Sequence, residues 1–256
     1  MVVIFCLTSK ATDCLNAQLV AALSDKAHVL PAETSAQARR YLASTKRPRA
    51  VLVSDMGTTL PEYRDILSLL VLYAQSGGTV IYCGSFSSDS RYQDISFMFK
   101  TSWGLQWSPC AYTNMDVTAN SRMTRLDVAS IVQNYCSKAT YLGNVAPRDA
   151  VYVDAPPAAN EDEDEDEEVQ PWTPLNRSTM TFAPSGLGRV GYIGHAFVDE
   201  VIRKAIIAMC FHRSSRAIVP PGAGTLPPHV SLGPGLLFVS RLAILTRDPR
   251  VLSTIP

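Results

Sequence analysis

The sequence predicts an α/β fold, a doubly wound and mostly parallel sheet, on three observations. Residues 50–53 (AVLV) and 79–82 (TVIY) are short, apolar and β-branched, and each run ends in turn-forming residues. That is the pattern of strands buried on both faces. Between them Ile66, Leu69, Leu70 and Tyr73 recur at three- and four-residue spacing, the apolar stripe of a helix. Strand and helix alternate in this way from the start of the chain, which implies parallel strands joined by crossover helices.

The elements follow in order. Residues 2–7 (VVIFCL) form the first strand. A helix over residues 12–24 places Leu15, Leu19, Ala22 and Leu23 on one face. A second strand over residues 27–30 is closed by Pro31. Thr34 or Ser35 caps a second helix with Ala38, Tyr41 and Leu42 on its apolar side. After the third strand, Pro61 and Glu62 open a helix where a missing N–H costs little and a carboxylate meets the positive end of the dipole. Gly77 and Gly78 stop it before the fourth strand. These short crossovers fit a flavodoxin-like, three-layer start with strand order 2-1-3-4.

Beyond residue 88 the rhythm weakens. A helix is expected over residues 94–103, a short strand over 105–107 before Pro109, and a helix over 126–135. Short strands are expected over 141–145 and 150–154, around the turn Pro147-Arg148-Asp149. Residues 156–171 read as a flexible acidic loop, because the eight adjacent like charges of residues 161–168 repel. Structure resumes near Trp172. Residues 180–183 and 189–193 form a strand pair, and a last helix over 198–211 carries Val201, Ile202, Ala205, Ile206 and Met209. Residues 212–256, punctuated by Pro and Gly, read as an irregular tail behind a domain of residues 1–211.

Composition narrows the function. A hydrophobic content of 46% builds a sizeable core. The formal charge of zero balances unlike parts: the acidic run holds eight of the 23 acids, and outside it 15 acids face 23 bases. Those bases are scattered, with no dense Lys/Arg stripe among aromatics, so no nucleic-acid partner is expected. The six cysteines form no CxxC pair, which argues against a zinc site and a disulfide framework. No strand is followed by GxGxxG or a Walker loop, so no metal or cofactor is expected. The first residues lack a basic flank and a cleavage site. Residues 236–245 are apolar but broken by Arg241, about half the ~20 residues of a spanning helix. A soluble cytoplasmic protein without membrane contact is the expectation, with homo-oligomerisation left open.

In an open α/β sheet, ligands bind outside the carboxyl ends of the strands. That rule selects residues 8–10, 55–59 and 83–88, and in them Ser9, Asp55, Gly57, Gly84 and Ser85 as ligand-binding candidates. Asp55 stands where receiver domains keep a phosphorylated aspartate. That chemistry needs Mg²⁺ and further carboxylates, and the first strand ends in Thr8-Ser9, so Asp55 reads as the cap of a turn or helix. Cys83 lies on a tight strand-to-helix turn, the position of a nucleophile elbow, and would need a base to activate it. Its alternative role is a small buried hydrophobe. His195, in GRVGYIGHAFVDE, would be that base if the fold brings it to Cys83; otherwise it is a solvated loop histidine.

Two segments together resemble a known family. PEYRDILSLLVLYAQSGGTVIYCGSFSS resembles the helix, Gly-Gly stop and elbow strand of class I glutamine amidotransferase-like proteins, and of their ThuA-like branch in particular. GRVGYIGHAFVDE resembles that branch's late strand and glycine-histidine turn. The pattern VLVSD…GGTV…GRVGYIG is also similar to uncharacterised fungal proteins of this fold. The resemblance spans roughly residues 1–210 and implies Cys83 and His195 at the catalytic positions. Amidotransferases place glycine two residues before and two after the cysteine; Tyr82-Cys83-Gly84 departs from this. Their histidine is followed by proline and glutamate, where Ala196-Phe197 stand here. Glutaminase activity is therefore not expected.

Three functions remain. The first is a non-catalytic amidotransferase-like domain that binds a small molecule or a partner at its strand ends. The second is a cysteine-dependent hydrolase using Cys83 and His195, helped by Asp199 or Glu200. The third is an interaction protein whose acidic loop recruits a basic partner.

Overall fold

The computed structural model of the chain describes residues 1–10, 17–155 and 176–212. The chain divides into Met1–Ser215 and Arg216–Pro256, and the second unit lies outside the described residues. So do the acidic loop of residues 156–171, Trp172, the start of the first helix, and the tail after His212.

A six-stranded sheet organises the fold. Its strands are β1 (Val2–Phe5), β2 (Val29–Ala32), β3 (Ala50–Val53), β4 (Thr79–Tyr82), β8 (Met180–Ser185) and β9 (Gly188–Ile193), in the order β2-β1-β3-β4-β9-β8. The first five in that order pair in parallel, and β8 closes the edge antiparallel to β9. The first four strands thus take the expected order. Every residue of β1, β3 and β4 is buried, because helices cover both faces. Alternation sorts their side chains. Val2, Ile4, Leu52 and Ile81 join the core beneath α1 (Ala17–Ser24) and α6 (Glu200–Phe211). Val3, Phe5, Val53 and Tyr82 join the core beneath α2 (Ser35–Leu42), α3 (Arg64–Gln75) and α5 (Tyr92–Met98).

Local chemistry sets the boundaries. Thr34 caps α2 in a full capping box: its side chain accepts from the Gln37 N–H, and the Gln37 side chain accepts from the Thr34 N–H. Pro61 opens a 3₁₀ turn, Pro61–Tyr63, that feeds α3. Gly77 ends α3 at φ +105°, a conformation that side chains avoid. Asp199 caps α6 by accepting from the Ile202 N–H. Pro31 does not close the second strand: it lies inside β2, paired with Ile4. β2 is a sheet edge, where the missing N–H leaves no ladder bond unmade.

The middle of the chain departs furthest from expectation. No strand forms over residues 105–107; instead β5 (Ser108–Ala119) runs for twelve residues, through Pro109. The helix expected over 126–135 is absent. Asp127 caps a single 3₁₀ turn, Val128–Ser130, and the Gln133 amide donates to the carbonyls of Val128 and Ile131, drawing that segment back into a loop. Strand β6 (Asn134–Gly143) begins where the helix would have ended, and stops at Asn144, which holds φ +57°. With β7 (Tyr152–Asp154) these strands form a second, antiparallel sheet of order β6-β5-β7. The expected helix over 94–103 is α5 followed by a π turn, Phe99–Trp103.

The second sheet packs on the first through shared core. Tyr141, Tyr152, Val117 and Val151 lie in one cluster with Cys83, Ile193 and Ile202. Backbone bonds tie the two together: Thr140 N–H donates to the Gly194 carbonyl at 2.9 Å, and Phe182 N–H donates to the Asp149 carbonyl at 2.7 Å.

Candidate functional site

The carboxyl ends of β1, β3, β4 and β9 lie side by side, as parallel pairing in sequence-adjacent register requires. The loops that follow them carry all the candidates read from the sequence. Among the described residues, no three His, Cys, Asp or Glu side chains converge in a way that would hold a metal ion.

Asp55 is the hub of these loops. Its carboxylate accepts from the Thr8 N–H at 2.6 Å, the Thr8 hydroxyl at 3.0 Å and the Ser9 hydroxyl at 3.3 Å. Its other oxygen accepts from the Gly57 N–H at 3.0 Å, capping the 3₁₀ turn Met56–Thr59. The side chain is 1% exposed. Three of these donors join the β1 loop to the β3 loop, and the fourth shapes the β3 loop itself. Ser9 and Gly57 therefore meet Asp55 directly, while Ser85 is anchored elsewhere: its N–H and hydroxyl both donate to the Ser54 carbonyl at 3.1 Å.

The elbow after β4 is shallow. Cys83 is completely buried, and its N–H continues the sheet ladder to the Val53 carbonyl at 2.9 Å. The positive φ of +64° falls on Gly84, one residue later, and Cys83 itself stays in the ordinary region. The turn then enters the short helix α4 (Phe86–Asp89). A nucleophile elbow holds its nucleophile in the strained position and lifts it to the surface; this turn does neither. On the adjacent strand end, Ser54 donates to the Phe5 carbonyl at 2.9 Å, so the 2.9 Å contact between Cys6 Sγ and Ser54 Oγ has the thiol as donor.

His195 is 6% exposed, in the turn after β9. Its hydrogen bonds run to the second sheet and not to Cys83. Nε2 lies 2.9 Å from Ser137 Oγ and 3.2 Å from Tyr135 Oη, both on β6. Tyr135 in turn lies 3.5 Å from Thr179 Oγ1. Nδ1 is buried without a hydrogen-bond partner. Burial lowers the imidazole pKa to about 4, against the opposing pull of Asp199, so the ring is neutral across the physiological range. Sequence reasoning found the histidine but missed its partners. The signal for them was the alternation of Tyr135, Ser137, Ala139 and Tyr141 with Asn134, Cys136 and Lys138, which marks β6 as a strand.

Two clefts open beside this set of loops. One of about 470 Å³ lies past β3, lined by Thr58, Arg64, Arg91, Asp94 and Phe97 among others. A second, of about 480 Å³, lies past β1 against Leu7, Thr8, Ser9, Lys10 and Glu33. A larger cleft, about 1080 Å³, is at the other end of the sheet. Lys26, which lines it, precedes β2, and Arg49, which precedes β3, donates to the carbonyls of Phe211 and His212. Its size does not place it at the strand ends where this fold class presents ligands.

No protein-family model matches the chain, and no curated protein sequence does. Solved structures are similar in fold. A ThuA-like protein from Bacteroides uniformis aligns over 81% of this chain and 88% of its own, at 8% identity and a TM-score of 0.49. A β-galactosidase from Bacillus circulans sp. alkalophilus aligns over 82% of this chain at 9% identity and a TM-score of 0.43. A cytoplasmic protein from Salmonella typhimurium covers 82% of this chain and 97% of its own, at 10% identity and a TM-score of 0.40. The chain spans only 29% and 30% of the length of the two β-galactosidases first matched. Likenesses at this level carry no activity over to this chain.

Proposed function

We propose that the chain is a non-catalytic α/β domain of the amidotransferase-like, flavodoxin-like kind, which binds a small molecule or a partner at the carboxyl ends of its parallel strands. One observation carries this reading. The two side chains that would form a cysteine–histidine pair are engaged elsewhere: Cys83 is sealed in the core at an ordinary φ, and His195 Nε2 is held by Ser137 and Tyr135. A thiol becomes a nucleophile through a nearby base and some exposure; Cys83 has no exposure, and the Nε2 of His195 is bonded to the second sheet. The clefts past β1 and β3 support a binding role, since they adjoin the loops that Asp55 holds in place.

The test is the pH dependence of iodoacetamide alkylation at Cys83, mapped by peptide mass, with a His195→Ala control. A thiol that stays unreactive in the native protein supports the binding domain. A thiol pKa well below the reference of about 8.5, rising in the control, overturns it in favour of a hydrolase. The binding arm is a ¹H–¹⁵N spectrum recorded against a metabolite library. Shifts confined to residues 8–10 and 56–68 support the strand-end site; shifts confined to residues 204–212 move the site to the large cleft.

A further inference from the structure

We infer that His195 is a latch between the two sheets, closed while its imidazole is neutral and opened when it takes up a proton. The geometry places it on the seam. His195 follows β9 of the main sheet, and both hydrogen-bond partners of Nε2, Ser137 and Tyr135, belong to β6 of the second sheet. The turn that carries it is clamped on three sides. The Gly194 carbonyl accepts from the Thr140 N–H at 2.9 Å and the Ser87 hydroxyl at 3.1 Å, and the Gly194 N–H donates to the Thr179 carbonyl at 2.9 Å. A Cβ at Gly194 would run into the Thr140 carbonyl oxygen, so only glycine permits this approach.

Protonation has no outlet in the closed state. A neutral imidazole carries one N–H and one lone pair; the cation carries two N–H donors. Nε2 can share its hydrogen with the two hydroxyls, but Nδ1 would become a buried charged donor without an acceptor. The groups around it offer little relief. From β6 come the Tyr135 phenol, which burial keeps un-ionised, and the uncharged Ser137. From β8 and the residues before it comes Thr179, uncharged. Among the described residues the opposing charge is that of Asp199 at the start of α6, whose carboxylate already accepts from the Ile202 N–H. Burial outweighs its pull.

Linkage gives the direction. An opened His195 returns to its ordinary value near 6.5, while the closed ring titrates near 4. Between these values the open state binds more protons, so each pH unit of acidification favours opening about tenfold. Above about pH 7.5 the latch has no pH dependence.

Hydrogen exchange of the full chain, read by mass spectrometry at pH 7, 6 and 5 and corrected for intrinsic rates, tests this. Protection of peptides from β6 should fall with acidification, approaching about tenfold per pH unit below about 6, and at every pH should stay below that of peptides from β3 and β4. In His195→Gln, whose amide can still bond Ser137, the slope should vanish; in His212→Gln it should persist. An unchanged slope in His195→Gln, no slope in the native chain, or equal protection of β6 and β3 at pH 7 overturns the latch. Should His195→Gln not fold, the ring proton shifts of His195 decide in the native protein: a folded-state titration near 6.5 overturns the proposal, and one near 4 upholds it.

Discussion

Ser137 Oγ and His195 Nε2 lie 2.9 Å apart, joining a strand of the second sheet to the turn that ends a strand of the first. In outline this is a hydroxyl beside its base. Two features separate it from a catalytic pair. Ser137 is completely buried, and Nδ1 of the histidine meets no carboxylate that would orient it. The pair is a buried polar contact whose value lies in register and docking.

Removing the hydroxyl should therefore cost stability. Ser137→Ala leaves the buried imidazole with Tyr135 alone and should destabilise by about 1–3 kcal/mol. Urea unfolding at pH 7 measures it. A Ser137→Ala, His195→Gln cycle should be non-additive, because the two side chains share one bond.

Acid should weaken the whole fold through the same ring. The folded pKa of about 4 lies below the ordinary 6.5, so the folded state binds fewer protons between those values and loses stability as pH falls through them. The loss from His195 approaches about 3 kcal/mol by pH 4. His212, its pKa also lowered by burial, acts in the same direction. Denaturant midpoints from pH 7 to pH 4 report the sum, and His195→Gln should remove most of it.

Thiol counting should split the cysteines by position. Cys110 and Cys136 are exposed on the second sheet and should react with a disulfide reagent in the native protein. Cys6, Cys83 and Cys210 are buried and should react only on unfolding; burial pushes the Cys210 thiol up to about 12. Rapid native reaction at Cys83 would contradict the sealed elbow.

Asp55→Ala should be among the most damaging single changes at the strand ends. It strands the N–H groups of Thr8 and Gly57 and two hydroxyls, for a loss of about 2–4 kcal/mol. Asp55→Asn, which keeps one acceptor oxygen, should lose less. A thermal melt of both variants separates them, and an unchanged Asp55→Ala melt would mean that Asp55 does not hold these loops together.

Gly194→Ala should unfold or severely weaken the protein, by more than about 3 kcal/mol, because the added carbon meets backbone that cannot move aside. Circular dichroism at 25 °C against the parent reads the outcome.

The sequence by itself determined the parallel half of the protein. Strand runs, the Thr34 cap, the Gly77 stop and the helical stripe of Ile66, Leu69, Leu70 and Tyr73 are local signals, and β1, β3, β4, α2 and α3 form where those signals lie. It also placed Asp55 as a cap and His195 behind a strand. Tertiary structure decided the rest. Residues 126–135 carry helix-compatible apolar spacing, yet Asp127 and Gln133 satisfy the backbone in a loop, and Leu126 and Ile131 find burial against the second sheet. Pro31 stays in a strand because that strand became an edge. The bonds of His195 could not be read in advance, since Ser137 stands 58 residues away and meets it only after two sheets have packed. Local propensity fixes backbone conformation over a few residues, whereas the partner of a buried polar atom depends on which distant strand arrives beside it.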